Sequence, residues 1–384
     1  MKLALFFTRG VSLKLWIESG LFHREKLPYE EHLRKGNLDT VYWLTYGADD
    51  APIAAMCTEK GQLDSRIKII PMPRLFDMGR LGAWVYSLFI SYVHKDTLKS
   101  VDIVKSNQMD GAWAAWLAGL LFSKPFFLRT GYTKSFFVQK QNGFGLRYYF
   151  YKVIERWLYR WCTIATVTSY HDKEYVCDRY CIDQNKIFIL PNYVDTSRFA
   201  PIYEKRFEDR LVFVGRLHRE KNLTNLMHAI QGTNLTLDVY GTGDEKEQLQ
   251  RLAKDLDICV NFMGSVPNSD LPSILNKYKY FILPSLYEGM PKALIEAMAC
   301  GLLCIGTDVT GIREVIADGV TGILCDNTSS DAIKTGIQRA IITDFHDISK
   351  NASEYVRENF SLEKIVIKEN NILNILFCAH LVTK

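Results

Sequence analysis

The stretch from Tyr280 to Gly301 constrains this chain more than any other. Tyr280–Leu283 is an unbroken apolar run ending at Pro284, which reads as a buried strand. After a short loop, Pro291 stands where the first turn of a helix tolerates proline. Lys292 to Cys300 are good helix formers, and Gly301 closes the helix. Glu288 then lies on the loop, and Glu296 about one and a half turns down the helix. The free N–H groups on the stretch Gly289 to Lys292, Pro291 having none, open towards the helix start and favour negative charge. An acid on each side of an anion site suits a sugar nucleotide. One carboxylate accepts from sugar hydroxyls, the other from ribose hydroxyls, and the amides face the phosphates. Taken alone, Glu-x7-Glu also fits an ordinary strand-loop-helix unit whose glutamates are solvated or cap the helix.

The same alternation recurs along the chain. Strands are expected at Leu3–Phe7, Asp39–Thr45, Arg66–Ile70, Val101–Lys105, Phe126–Leu128 and Ile187–Leu190. Others are expected at Leu211–Val214, Leu235–Tyr240, Cys259–Met263 and Thr321–Cys325. Helical patterns run from Ser12 to about Lys35, over 80–99, over 144–162 and from Ser330 on. This predicts an α/β fold of two Rossmann-like domains with parallel sheets facing a deep interdomain cleft. A chain of 384 residues with 48% hydrophobic content has material for two cores. Thr196 to Asp209 is polar and irregular and reads as the linker, giving domains 1–195 and 205–359.

The net charge of +4 suits anionic lipid headgroups or phosphorylated substrates and is too small to imply nucleic acid. Nine cysteines without CxxC pairs point to free thiols in a reducing cytosol, with no disulfide framework or zinc site. Met1–Phe7 is too short for the apolar core of a signal peptide, and no run reaches the length of a membrane span. A cytoplasmic location follows.

In the first half, Gly10 follows the first strand in a turn that fits either a phosphate-binding approach or a tight turn without a ligand. Asp49 and Asp50 read as a solvated turn rather than a metal pair. Asn107, Gln108, Arg129 and Tyr132 stand at strand ends, where doubly wound sheets face their ligands, and are acceptor candidates. Over 144–162, Phe150, Ile154, Trp157 and Trp161 fall on one helical face and Lys152, Arg156 and Arg160 on another. Such a helix either packs its aromatic stripe on the sheet or lies on an anionic membrane surface.

Glu288, Gly289, Pro291, Glu296, Ala297 and Gly301 together resemble the Glu-x7-Glu motif of the retaining glycosyltransferases of the GT-B fold, family 4. Pro191-Asn192-Tyr193-Val194-Asp195 resembles the segment closing that family's first domain, with Tyr193 in place of glycine. Gly215-Arg216 through Lys221-Asn222 resembles its paired Arg and Lys. Two cations between a strand end and a helix start can neutralise a diphosphate whose charge grows as the sugar bond breaks. Gly241 and Gly243 match the family's glycine turn, and Thr310 replaces one of two usual glycines before Gly311. The histidine many relatives place near residue 130 is missing between Lys95 and Tyr170.

The resemblance implies transfer of a hexose from a nucleotide diphosphate sugar to a hydroxyl, with retention, without a metal and with no further cofactor. Arg216 and Lys221 would stabilise the leaving group and Glu288 the donor sugar, while Glu296 would bind the ribose. Gly10, Gly215, Gly241, Ser265, Val266, Gly289, Met290 and Pro291 would complete the donor site. Partners would be the nucleotide sugar and a glycan or lipid-linked acceptor, in bacterial polysaccharide or glycolipid assembly on the inner face of the cytoplasmic membrane. A helix from about 360 to 384 would pack back on the first domain. The rival readings are a GT-B epimerase, which needs no acceptor, a phosphorylase, for which no pyridoxal lysine shows, and a noncatalytic nucleotide-sugar-binding subunit. A dinucleotide dehydrogenase is disfavoured because neither opening strand carries a full GxGxxG.

Overall fold

The computed structural model describes residues 1–131, 133–202 and 204–382, so Tyr132 lies outside the described residues. The chain divides into two units, Met1–Leu190 with the segment from Val366, and Pro191–Ile365. In the first, β1 (Lys2–Phe6), β2 (Thr40–Leu44), β3 (Ile67–Ile70), β4 (Ile103–Ser106), β5 (Phe126–Arg129), β6 (Ile164–Val167) and β7 (Ile187–Ile189) form a parallel sheet. Its order is β3-β2-β1-β4-β5-β6-β7. In the second, β8 (Phe207–Val214), β9 (Thr236–Tyr240), β10 (Val260–Gly264), β11 (Tyr278–Leu283), β12 (Leu303–Thr307) and β13 (Ile323–Cys325) run parallel in the order β10-β9-β8-β11-β12-β13. Both sheets reverse their winding beside the first strand, which opens a crevice at the carboxyl ends there. Central strands such as β4 and β12 are buried along their whole length, because helices cover both faces.

Several sequence expectations are corrected. The helix expected from Ser12 to Lys35 is two, Leu13–Glu18 and Phe22–Arg34, because Gly20 takes a left-handed conformation (φ +70°) between them. Asp50 is no solvated turn residue. It is buried and accepts from the amides of Leu13 (2.8 Å) and Lys14 (3.2 Å), satisfying the start of the first of these helices. The aromatic stripe on helix Leu146–Trp161 is split. Ile154 and Trp157 pack against the core, whereas Phe150 and Trp161 are exposed. The inner face centres instead on Tyr148, Glu155, Leu158 and Tyr159. Thr196–Asp209 does not behave as a linker. Phe199 belongs to the second core, Ile202 donates to Asn276 Oδ1 at 2.8 Å, and β8 already starts at Phe207. All nine cysteines are free thiols, and burial pushes those of Cys162, Cys300 and Cys325 up to about 12.

The final helix, Leu362–Val382, contributes Ile372, Leu373 and Leu376 to the first core. It also carries Glu369, buried in ionic contact with Lys105 on β4. Lys105 donates to Tyr29 Oη at 3.2 Å, and His32 Nε2 lies 3.4 Å from Glu369. Burial alone would raise the Glu369 carboxyl, but the Lys105 ammonium and His32 outweigh it and hold it well below its ordinary 4.5. The attraction keeps both partners charged in an apolar interior. Glu369→Ala strands the ammonium and is expected to cost about 3–5 kcal/mol of unfolding free energy, measured with denaturant. In the intact chain the carboxylate's contribution is full above the unfolded carboxyl range and is lost as pH falls through the depressed folded value. Lys105→Met/Glu369→Leu together is expected to cost less than either single change.

Candidate active site

The carboxyl ends of the second sheet are assembled backbone against backbone. Past the strand ends, Gly215 N donates to Tyr240 O (2.9 Å), Leu217 N to Thr242 O (2.9 Å) and Gly241 N to Gly264 O (2.8 Å). These bonds extend the β8–β9–β10 ladder into the loops. A Cβ on Gly241 would stand 1.8 Å from Gly215 O, and one on Gly311 1.6 Å from Gly289 O. Glycine is required at both positions because carbonyls occupy the space.

On the other side of β8, the strand order turns towards β11. Asn222 closes the short turn Arg219–Lys221 in a left-handed conformation (φ +56°), which asparagine tolerates. Its buried amide donates to Pro284 O (3.0 Å) and Thr328 O (2.9 Å), and Leu286 N donates to Glu220 O (2.8 Å). These bonds fasten the loop after β8 to the loop after β11. Lys221 and Glu288, one from each loop, are thereby brought into direct ionic contact, both largely buried. Ser285 Oγ donates to the same Glu288 oxygen at 2.7 Å. Ser285 O in turn accepts from Thr307 Oγ1 at the end of β12 (2.6 Å). The carboxylate is thus held from three strands at the crevice where doubly wound sheets take their ligands.

Arg216 stands apart from that contact. Its side chain is 74% exposed and reaches Glu220 at 3.7 Å, which leaves its guanidinium free to swing. Glu296 lies in helix Lys292–Ala299, buried, and accepts from Asn268 Nδ2 at 3.0 Å. Gly289 lies on the loop before this helix, whose N-terminal end favours anions. Met290 is turned inward. Its Sδ accepts from Asn192 N (3.3 Å) and its carbonyl from Asn192 Nδ2 (2.7 Å), so neither is available to a ligand. Pro291 is buried as the residue capping the helix. Ser265 is exposed and Val266 half-buried after β10.

Asn222, Asn268, Ser285 and Thr307 were not singled out from sequence. Asn268 lies two residues beyond the Val266 expectation, and Ser285 three before Glu288, so proximity in the chain was their one visible signal.

In the first unit, the ends of β4 and β5 join three of the acceptor candidates. Arg129 Nη1 donates to Asn107 O (3.2 Å) and Oδ1 (3.4 Å), and Gln108 Oε1 accepts from Gly131 N (2.9 Å). Gly10 occupies an exposed left-handed turn after β1. Beside it Arg9 pairs with Asp110 at 3.1 Å, and its guanidinium lies 4.2 Å from the Trp84 ring centre.

Known proteins resemble this chain in sequence and in fold. The family model described as Glycosyl transferases group 1 matches residues 199–359, and that described as Glycosyltransferase Family 4 matches residues 32–198. The Escherichia coli UDP-Gal:alpha-D-GlcNAc-diphosphoundecaprenol alpha-1,3-galactosyltransferase is 28% identical over 243 residues, covering 56% of this chain and 62% of that protein. Sucrose-phosphate synthase from Thermosynechococcus elongatus superimposes with a TM-score of 0.78 at 19% identity, over 99% of this chain and 100% of its own. Anabaena HepE, solved in complex with UDP, gives 0.72 at 16% identity, over 97% and 100%.

The carbonyl-filled space at Gly311 gives a test of the loop packing. Gly311→Ala is expected to destabilise the fold by about 1–3 kcal/mol in denaturant titration. Gly145→Ala, in open space at a negative φ, should change stability by less than about 0.5 kcal/mol.

Proposed function

We propose, from the premise that the chain belongs to the group 1 glycosyltransferases and has their GT-B fold, that it transfers a hexosyl residue from a nucleotide diphosphate sugar to a hydroxyl. The reading includes retention of anomeric configuration and independence of metal. The observation that carries it is the Lys221–Glu288 contact at the crevice between β8 and β11. There a cation, a carboxylate and a helix N-terminus share one corner of the second unit.

Lys221 and Glu288 neutralise one another across that contact. A donor diphosphate competes for the ammonium, which moves towards the leaving group as its charge develops. Glu288, still held by Ser285, then accepts from hydroxyls of the donor sugar. Arg216, exposed and weakly held by Glu220, closes on the diphosphate as a forked donor. Glu296 takes the ribose hydroxyls, exchanging its bond from Asn268 for one from the ligand. Gly215, Gly241, Ser265 and Val266 supply backbone groups to the nucleotide, and Gly289 supplies an amide at the phosphates. Met290 and Pro291 shape the turn.

The acceptor is a glycan or a lipid-linked sugar, presented to Asn107, Gln108 and Arg129 of the first unit. The name of the E. coli relative, which specifies a diphosphoundecaprenol acceptor, supports the lipid-linked form. On this reading the protein works in bacterial surface polysaccharide or glycolipid assembly, at the inner face of the cytoplasmic membrane.

A well-placed donor to a developing negative charge is worth about 3–4 kcal/mol. With a nucleotide sugar chosen by thermal shift from a panel, Arg216→Ala and Lys221→Ala are each expected to lose at least about tenfold in turnover. Melting temperature and activity in chelator should stay unchanged. Full activity in both variants contradicts the assignment. Isomerised donor or free sugar without acceptor selects the epimerase reading instead.

A further inference from the structure

Two arginines stand at the carboxyl ends of the first sheet, and their surroundings differ. Arg9, after β1, is matched by Asp110 through two nitrogens at 3.1 and 3.3 Å. Arg129 closes β5 and has no carboxylate partner among the described residues. Its Nη1 donates to Asn107 O and Oδ1, while Nε and Nη2 have no partner among the described residues. Its backbone N donates to Ser106 Oγ (3.1 Å), which ties the end of β5 to the end of β4.

The amides beside it are oriented by what they already accept. Asn107 Oδ1 takes the Arg129 guanidinium (3.4 Å), and Gln108 Oε1 takes the Gly131 amide (2.9 Å). An N–H needs an oxygen opposite it, so both side-chain amides turn their NH2 groups the other way. The second amide lies close over Gly131, where a Cβ would stand 3.0 Å from Gln108 Nε2. The groups left over are Arg129 Nε and Nη2, Asn107 Nδ2 and Gln108 Nε2, and all are donors. None of the four is a buried atom without a partner, so they open to solvent.

Charge points the same way. Lys105 stands opposite Phe127, and Arg129 lies two residues further along β5, so both cations share one face of the sheet. Arg129 is near enough for its charge to bear on the Lys105 ammonium. Glu369, buried on that face, is committed to Lys105 and His32. One carboxylate thus serves two cations, and the excess positive charge sits at the strand end.

We infer that the ends of β4 and β5 form a phosphoryl-binding subsite, and that the group it takes belongs to the acceptor, which is a phosphate or diphosphate ester. A phosphoryl group offers only acceptor oxygens and negative charge, the complement of a donor-only corner with an unmatched guanidinium. A neutral glycan would bring hydroxyl protons to side chains that have no free oxygen to receive them. The identity of the ligand as acceptor rests on the sugar-transfer reading. The anion site itself does not.

Two measurements test it. In the first, inorganic pyrophosphate is titrated calorimetrically into the full chain carrying Arg216→Ala/Lys221→Ala, which removes the donor cations. Binding is expected, and adding Arg129→Gln or Gln108→Glu should weaken it at least about tenfold. Gln108→Glu is nearly isosteric, since one oxygen still accepts from Gly131 N while the other replaces the NH2 with negative charge. A retained melting temperature is the control for each. In the second, transfer kinetics compare two soluble acceptors built on one sugar, a short-chain alkyl diphosphate ester and a neutral alkyl glycoside. The parent chain should favour the ester at least about tenfold in kcat/KM. Arg129→Gln should remove that preference through the KM of the ester, and Arg129→Lys should keep part of it. Absent pyrophosphate binding, or binding indifferent to both substitutions, overturns the subsite. A preference that survives Arg129→Gln, or a KM rise confined to the donor, overturns the acceptor assignment. If the parent chain consumes no donor of the panel with either acceptor, the transferase reading fails, and the pyrophosphate titration still decides the anion site.

Discussion

The arrangement at the second sheet depends on a lysine and a glutamate from different loops meeting at the point where the strand order reverses. Neither would find the other through sequence proximity. Lys221 follows β8, Glu288 follows β11, and the contact exists because Asn222 and Leu286 tie the two loops together through main-chain oxygens. The glycines do the same work by omission. Gly241 and Gly311 let carbonyls of adjoining loops approach where a methyl group would collide. The crevice is therefore rigid in its backbone and adaptable at its tips. Glu288 is held on several sides, while Arg216 extends into solvent. Such a division suits a site that must fix a sugar and still close over a diphosphate.

The first unit is held by a different use of charge. Lys105, Glu369, His32 and Tyr29 form a buried cluster that joins a central strand, the helix Phe22–Arg34 and the final helix. The cluster specifies one docking of the final helix, since any shift would leave an ammonium or a carboxylate unpaired in an apolar interior. The same unit also withholds Glu155 from the surface of a helix whose outer face is cationic and aromatic. Both features are long-range. Glu369 pairs with a residue on β4, and Glu155 with Tyr180 from the next helix.

That distinction sets what could be read from the sequence. The strand-loop-helix units were visible because β-strand runs such as Tyr280–Leu283 and breakers such as Pro284 and Gly301 act locally. The motif around Glu288 and Glu296 was visible for the same reason. Strand β6 escaped notice because only Cys162 and Thr163 separate it from the end of a long helix, so no break marks its start. The buried face of Leu146–Trp161 was misjudged because Tyr148 and Glu155 pack inward through partners far along the chain, and a tyrosine and a glutamate give no apolar signal. Asp50 looked solvated because its partners, the Leu13 and Lys14 amides, are joined to it only by the fold. The segment Thr196–Asp209 looked like a linker because its polar composition hides Phe199, which enters the second core. Asn268 was invisible because a single side-chain hydrogen bond to Glu296 leaves no pattern.

A structure of the chain with an intact nucleotide diphosphate sugar tests the central claim most directly. The account predicts the diphosphate between Lys221 and Arg216, with the Lys221–Glu288 contact opened and Glu288 within hydrogen-bond reach of a sugar hydroxyl. A nucleotide bound elsewhere, or bound with the Lys221–Glu288 pair undisturbed and the phosphates remote from both cations, would contradict it.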